Sequence, residues 1–137
     1  MEKTFLSWTD IEIAVESLAY QIKQSGKNIG AMVGLARGGL IPAVMLSHEL
    51  GIPLVSEDHE AEGYLLVIDD ICDTGETLKY YTRYEDILTA TIHHKQTAMV
   101  EPDFYYSLVP QDKWIVYPWE QKDSKTIQDY KDATEGE

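Results

Sequence analysis

Apolar positions along the chain follow two periods, and the switches between them mark the elements. Ile11, Val15, Leu18 and Ile22 recur at helical spacing, with Thr9-Asp10-Ile11-Glu12 ahead of them as a capping box and Gly26 behind as a stop. Ala31-Met32-Val33-Gly34-Leu35 is an unbroken apolar run with the length of a buried strand. After the turn Ala36-Arg37-Gly38-Gly39, Leu40 to Leu50 reads as a helix, with Pro42 tolerated in its first turn and Gly51 behind it. Ile52 to Val55 is a brief extended segment, and the polar, acidic stretch Ser56 to Gly63 is a loop. Tyr64-Leu65-Leu66-Val67-Ile68 is the clearest strand, and it ends in Asp69-Asp70. Past the turn Asp73 to Thr77, a helix is expected to carry Leu78, Tyr81, Tyr84 and Leu88 inward. Leu88 to His94, with Thr89, Thr91 and Ile92, starts a further strand. Trp114 to Tyr117 reads as one more, ended by Pro118. From Gln121 the polar tail is expected to fray or to pack loosely.

Helices alternating with buried strands predict an α/β domain: a mostly parallel central sheet flanked by helices on both faces. Ligands of such sheets bind where the loops after the strands converge. The two loops richest in chemistry, Ala36 to Gly39 and Asp69 to Thr77, both follow strands. A chain of 137 residues is the size of one domain, expected to span residues 1–120 ahead of the tail 121–137. No apolar run is long enough to cross a bilayer, so no membrane is expected as a partner. With 24 acidic against 11 basic residues the formal charge is -13, which repels nucleic acid and anionic lipid. Any phosphate must therefore be held locally, by backbone amides, a metal ion and a few placed cations. Cys72, the single cysteine, forms no internal disulfide and reads as a small buried filler. With an opening that lacks a secretory pattern, it predicts a cytoplasmic protein.

Chemistry concentrates in Leu65 to Thr77. A buried strand delivers two adjacent carboxylates to the sheet's edge, and Asp73 follows three residues later. Three carboxylates in five positions repel one another unless a cation or a polyhydroxyl ligand shares the site. Thr74, Gly75 and Thr77 then open a helix, offering amides, two hydroxyls and close approach to a phosphate. Acceptors for sugar hydroxyls or a metal are thus followed by donors for a phosphate. The implied ligand is a phosphorylated sugar.

Simple capping explains the loop poorly, because a cap needs one carboxylate and not three. A nucleotide-hydrolysing P-loop protein is excluded, since no G-x-x-x-x-G-K-[ST] precedes the acids and Gly34 to Gly39 holds no lysine. A phosphoaspartate hydrolase would separate its two acids by one residue; here they adjoin.

Val67 to Thr77 resembles the signature by which type I phosphoribosyltransferases bind phosphoribosyl pyrophosphate (PRPP): an apolar strand, Asp-Asp, two small or apolar residues, then Asp-Thr-Gly-x-Thr. Leu35 to Pro42 is similar to the family's pyrophosphate loop in its Arg-Gly-Gly form. Ser7-Trp8, Lys95, and Pro110 to Ile115 running into Pro118-Trp119-Glu120 are similar to its xanthine-guanine and hypoxanthine branch. The resemblance covers Phe5 to Glu120 and implies the type I phosphoribosyltransferase fold. It implies that Asp69 and Asp70 hold the ribose hydroxyls, directly or through Mg2+. Asp73 would handle the proton of the purine's five-membered ring as general base or acid. Thr74, Gly75, Glu76 and Thr77 would wrap the 5′-phosphate, and Arg37 and Gly38 would face the pyrophosphate. Lys95 would donate to a 6-oxo group, Trp114 would stack on the base, and the Ile115 backbone would meet its 2-substituent. The implied partners are PRPP, a purine base, the nucleoside monophosphate and pyrophosphate, handled by a homo-oligomer (dimer or tetramer) in purine salvage.

Plainer readings stand beside these. Lys95 also reads as a solvated surface lysine, and Trp114 as a core tryptophan. His93 and His94 read as strand residues and not metal ligands, and the pairs Tyr80-Tyr81 and Tyr105-Tyr106 as packing. Two features depart from the family pattern. Ser56 to Gly63 is short and acidic where the family carries a long hood that closes over PRPP, and Glu76 sets a carboxylate in the phosphate loop. The shortened hood loop keeps open a non-catalytic PRPP- or nucleotide-binding regulatory protein of the same fold, and a transferase acting on another base.

Overall fold

The computed structural model describes residues 2–56 and 61–120. The tail from Gln121 and part of the shortened hood loop lie outside the described residues. Among the described residues nine elements follow one another: β1 (Lys3–Phe5), α1 (Trp8–Ser25), β2 (Ile29–Gly34), α2 (Leu40–Leu50), β3 (Tyr64–Cys72), α3 (Glu76–Thr82), β4 (Ile87–Lys95), β5 (Phe104–Val109) and β6 (Trp114–Val116). Strands β2, β3, β4 and β5 form a parallel sheet in that order. A second, two-stranded sheet pairs β1 with β6, also in parallel. No helix among the described residues is long and apolar enough to cross a membrane.

Alternation along the strands distributes the core to two faces. Met32, Leu66, Ile68, Leu88 and Ala90 join Ile11, Leu18, Ile22 and Leu46 of α1 and α2 in the larger cluster. Ala31, Val33, Leu65 and Val67 form the smaller one, with Tyr81, Val55 and Ile87 against it. Helices therefore cover both faces, as expected of a sheet whose central strands are buried on both sides. Ile52 to Val55 runs extended beside β2, where Met32 N–H donates to Pro53 O at 2.9 Å and Val55 N–H to Met32 O at 2.8 Å.

Several local expectations are corrected. The cap of α1 is Ser7, not Thr9: Asp10 N–H donates to Ser7 Oγ at 3.1 Å, and Ser7 N–H to Asp10 Oδ2 at 2.8 Å. Leu6 is still tied to β6, its N–H donating to Val116 O at 2.9 Å, so Ser7 is the first residue able to turn into the helix. Helix α3 ends at Thr82, leaving Tyr84 42% exposed and Leu88 in β4, because the chain must turn early for Ile87 to pair with Leu65. Strand β3 does not stop at Ile68 but carries Asp69 and Asp70 within it to Cys72. Strands β5 and β1 were not anticipated. From Tyr105 to Val109 in β5 the more buried and the more open positions alternate; Tyr105 packs on His94 at 5.0 Å between ring centroids, whereas Tyr106 is exposed.

Candidate active site

Strand β3 sets the site. Its central residues are sealed on both faces, so the chain emerges at the sheet's carboxyl edge with Asp69 and Asp70 half-buried. Asp70 N–H donates to Asp69 Oδ1 at 2.9 Å, and Ile71 N–H to Asp70 Oδ1 at 2.8 Å. Burial raises the proton affinity of both carboxyls. For Asp70 the neighbouring Asp69 charge and, more weakly, Glu120 push it well above the usual carboxylate range.

The Arg-Gly-Gly loop folds directly onto this edge. Leu35 N–H donates to Ile68 O at 2.9 Å, extending the β2–β3 ladder to the start of the loop. Gly39 N–H donates to Leu35 O at 2.8 Å, closing the turn, and the Ala36–Arg37 peptide is cis. A Cβ on Gly38 would stand 2.0 Å from Asp70 Oδ2, and one on Gly39 would stand 2.3 Å from Ile68 O. Glycine is required at both positions for the loop to lie against the acids. Arg37 is exposed at the tip.

Beyond Cys72 the chain turns through exposed Asp73 and Thr74 to Gly75, whose φ of 90 caps α3 in the left-handed region. Thr74 Oγ1 accepts Glu76 N–H at 3.2 Å, and Thr74 O accepts Met99 N–H at 2.8 Å. Glu76 and Thr77 are exposed in the first turn. Cys72 is buried, and its thiol donates to Val100 O at 3.5 Å. Burial, then the charges of Asp69 and Asp73, push that thiol up to about 11, in agreement with an inert filler.

Lys95 ends β4 and is 3% exposed, which removes the surface-lysine reading. Its ammonium donates to the backbone oxygens of Gln111 (3.1 Å) and of Lys113. Trp114 is half-buried, with Lys3 Nζ 4.2 Å from its ring centroid, and Ile115 is buried in the core behind it. His93 and His94 lie in strand β4, as read from the sequence, and both are buried.

Two residues without an assigned role tie these parts together. Gln111 Nε2 donates to Asp73 Oδ1 at 3.1 Å. Tyr117 is buried, and its hydroxyl donates to Asp70 O at 3.1 Å. Since that proton is committed to a carbonyl, the hydroxyl accepts from His93 Nδ1 at 2.8 Å, which puts the imidazole proton on Nδ1. Stacking of Tyr117 on Trp119 (4.9 Å, 4°) fixes its ring. Only Tyr117's place at the end of an apolar run hinted at burial; no local pattern pointed to Asp70.

Asp69 and Asp70 suit a divalent cation whose charge would relieve their mutual repulsion. Among the described residues no group of three His, Cys, Asp or Glu side chains could hold a metal by itself. Two adjacent carboxylates are hard oxygen donors, and they fit an ion such as Mg2+, which completes its shell with water and substrate oxygens.

No family model matches the chain. It is 33% identical to the xanthine-guanine phosphoribosyltransferase of Cereibacter sphaeroides, covering 87% of this chain and 88% of the relative. It is 30% identical to that of Idiomarina loihiensis, covering 85% and 86%. Among solved structures, the purine phosphoribosyltransferase of Pyrococcus horikoshii superposes with a TM-score of 0.76 at 30% identity, covering 92% of this chain and 99% of that one. The Cereibacter alignment runs over 147 positions, longer than this 137-residue chain, so the relative contains insertions that this chain lacks.

Proposed function

The chain belongs to the xanthine-guanine phosphoribosyltransferase family of pentosyltransferases, and from that premise we propose that it moves the 5-phosphoribosyl group of PRPP onto a 6-oxopurine. The observation that supports this reading is the contact of the Gly38 loop with Asp70, which brings the loop after β2 against the end of the strand that runs on into the Asp73 to Thr77 turn. Residues 1–120 form the transferase domain in this reading. Arg37 and the Gly38 amide face the pyrophosphate. Asp69 and Asp70 hold the ribose hydroxyls and share Mg2+, which when bound neutralises pyrophosphate charge. Thr74, Gly75, Glu76 and Thr77 wrap the 5′-phosphate, with the Glu76 carboxylate turned to solvent. Lys95 has three N–H donors, and the two carbonyls engage two of them. The third meets the purine's 6-oxo group, Trp114 stacks on the base, and the Ile115 backbone meets the 2-substituent.

The bond from the anomeric carbon to pyrophosphate breaks and that carbon joins the imidazole-ring nitrogen of the base. Pyrophosphate leaves with the electron pair, and Asp73 takes the ring proton. The acids at the strand end favour the positive charge that develops on the sugar. The products are a nucleoside monophosphate and pyrophosphate, the reaction of a purine-salvage enzyme. Exposed Leu40 and Val44 on α2 support a homo-oligomer, dimer or tetramer, and the single buried cysteine supports a cytoplasmic setting.

Purified protein with PRPP, Mg2+ and guanine, xanthine or hypoxanthine is expected to yield the nucleotide and pyrophosphate, whereas adenine is left untouched. Asp73→Asn is expected to abolish turnover yet keep GMP binding; equal activity in that variant discards its role. The shortened Ser56 to Gly63 loop, in a chain that lacks insertions its relative has, favours one second reading: a non-catalytic PRPP or nucleotide binder. Calorimetric binding of PRPP or GMP without consumption of any base would establish that reading instead.

A further inference from the structure

We propose that Gln111 is a positioning residue for Asp73, locking the carboxylate that takes the base's proton. The inference rests on the reading of Asp73 given above and assigns a function to a glutamine that lies in the Pro110 to Ile115 segment but holds none of the roles the resemblance implies.

Asp73 lies exposed on a turn, where an unrestrained carboxylate would rotate through several orientations. Gln111 removes that freedom from one side by donating Nε2–H to Oδ1 at 3.1 Å. The glutamine is itself held twice. Its backbone oxygen accepts the buried Lys95 ammonium at 3.1 Å, and its Oε1 accepts the Thr97 hydroxyl. The chemistry of the partners dictates which way the amide faces. An ionised carboxylate only accepts, so nitrogen must turn to Asp73, and the Thr97 hydroxyl then donates to the oxygen that remains. With Gln111 holding Oδ1, Oδ2 is assigned to the base's proton.

Asp73 and Lys95 stand on different strand ends and are 22 residues apart in sequence, yet both are bonded to Gln111, one through its side chain and one through its backbone. The residue thus sets the spacing between the group that takes the ring proton and the group assigned to the 6-oxo oxygen. Because the Lys95 contact uses the backbone, a side-chain substitution at 111 releases Asp73 and leaves Lys95 anchored. This separates positioning from support of the loop.

The test is steady-state kinetics of the full chain with PRPP, Mg2+ and guanine, for wild type, Gln111→Ala, Gln111→Glu and Thr97→Val. Gln111→Ala is expected to lower kcat on the order of a hundredfold, the scale of a misaligned reacting group, with KM for PRPP unchanged. Gln111→Glu is expected to lose at least as much, since it opposes a second carboxylate to Asp73. Thr97→Val, which frees the amide to rotate, is expected to show a smaller fall in kcat alone. Wild-type kcat in Gln111→Ala overturns the inference. So does a loss of kcat matched by an equal rise in KM for PRPP, the mark of general loop collapse. If the wild type turns over no base at all, the transferase reading fails and this inference fails with it. That outcome is told apart by the wild-type measurement alone.

Discussion

Gly38 stands against the carboxylate of Asp70 so closely that an added Cβ would lie 2.0 Å from Oδ2. The neighbouring Gly39 is just as crowded, but by main chain: Ile68 O at 2.3 Å and Leu35 O at 2.8 Å. The two glycines therefore separate site geometry from stability. Gly38→Ala meets the far end of a side chain, which rotates away, so the fold should survive and PRPP binding weaken. Gly39→Ala meets backbone on two sides and should lose roughly 1–3 kcal/mol of stability, as overpacked positions do. Urea unfolding with PRPP calorimetry distinguishes them, and a Gly39→Ala protein as stable as wild type would refute the account.

His93 makes folding sensitive to acid. Burial, then the Lys95 charge, holds its imidazole down at about 4, against about 6.5 in the unfolded chain. Above the unfolded value both states are neutral there. Between the two values the unfolded chain binds the proton more readily, so stability falls as pH drops, by up to about 3 kcal/mol. Asp69 and Asp70, with raised proton affinities, slope the opposite way. The measurement is therefore a difference: the stability of wild type relative to His93→Gln, followed from pH 7 to pH 4, should decline through that window. A flat difference excludes the buried neutral imidazole.

Tyr117→Phe keeps the stack on Trp119 and deletes only the hydroxyl that links His93 Nδ1 to Asp70 O. Two buried partners lose their bond, at a cost of about 1–3 kcal/mol. An unchanged denaturation midpoint would show that neither contact matters to folding.

Cys72, with its thiol raised to about 11 and 2% exposed, should resist alkylation by iodoacetamide at pH 8. Full modification is expected only once the chain is unfolded in denaturant. Rapid labelling of the native protein would contradict its burial.

At the head of α1, Ser7→Ala should cost about 1 kcal/mol, the usual value of a lost N-cap. Thr9→Ala, on an exposed helical turn, should stay within about 0.5 kcal/mol. Reversed effects would restore the box at Thr9 and Glu12.

What was legible in the chain alone is what depends on near neighbours. Tyr64 to Ile68 reads as a strand because five consecutive residues are apolar or aromatic, and Asp69 to Thr77 as a ligand loop because its donors and acceptors are adjacent in sequence. Leu35 to Pro42 is local in the same way. Choice among equivalent local options fell to tertiary contacts: Ser7-x-x-Asp10 and Thr9-x-x-Glu12 both fit a capping box, and the bond from Leu6 to Val116 selects the first. Strand β1, three residues long, is too short to show a period and exists because the two ends of the described chain meet, where it pairs with β6, itself legible as the run from Trp114. The same is true of Gln111 on Asp73 and Tyr117 on Asp70, joined across 38 and 47 residues. Periodicity encodes the face an element buries, whereas partners brought together by the folded chain leave no trace in the spacing of either.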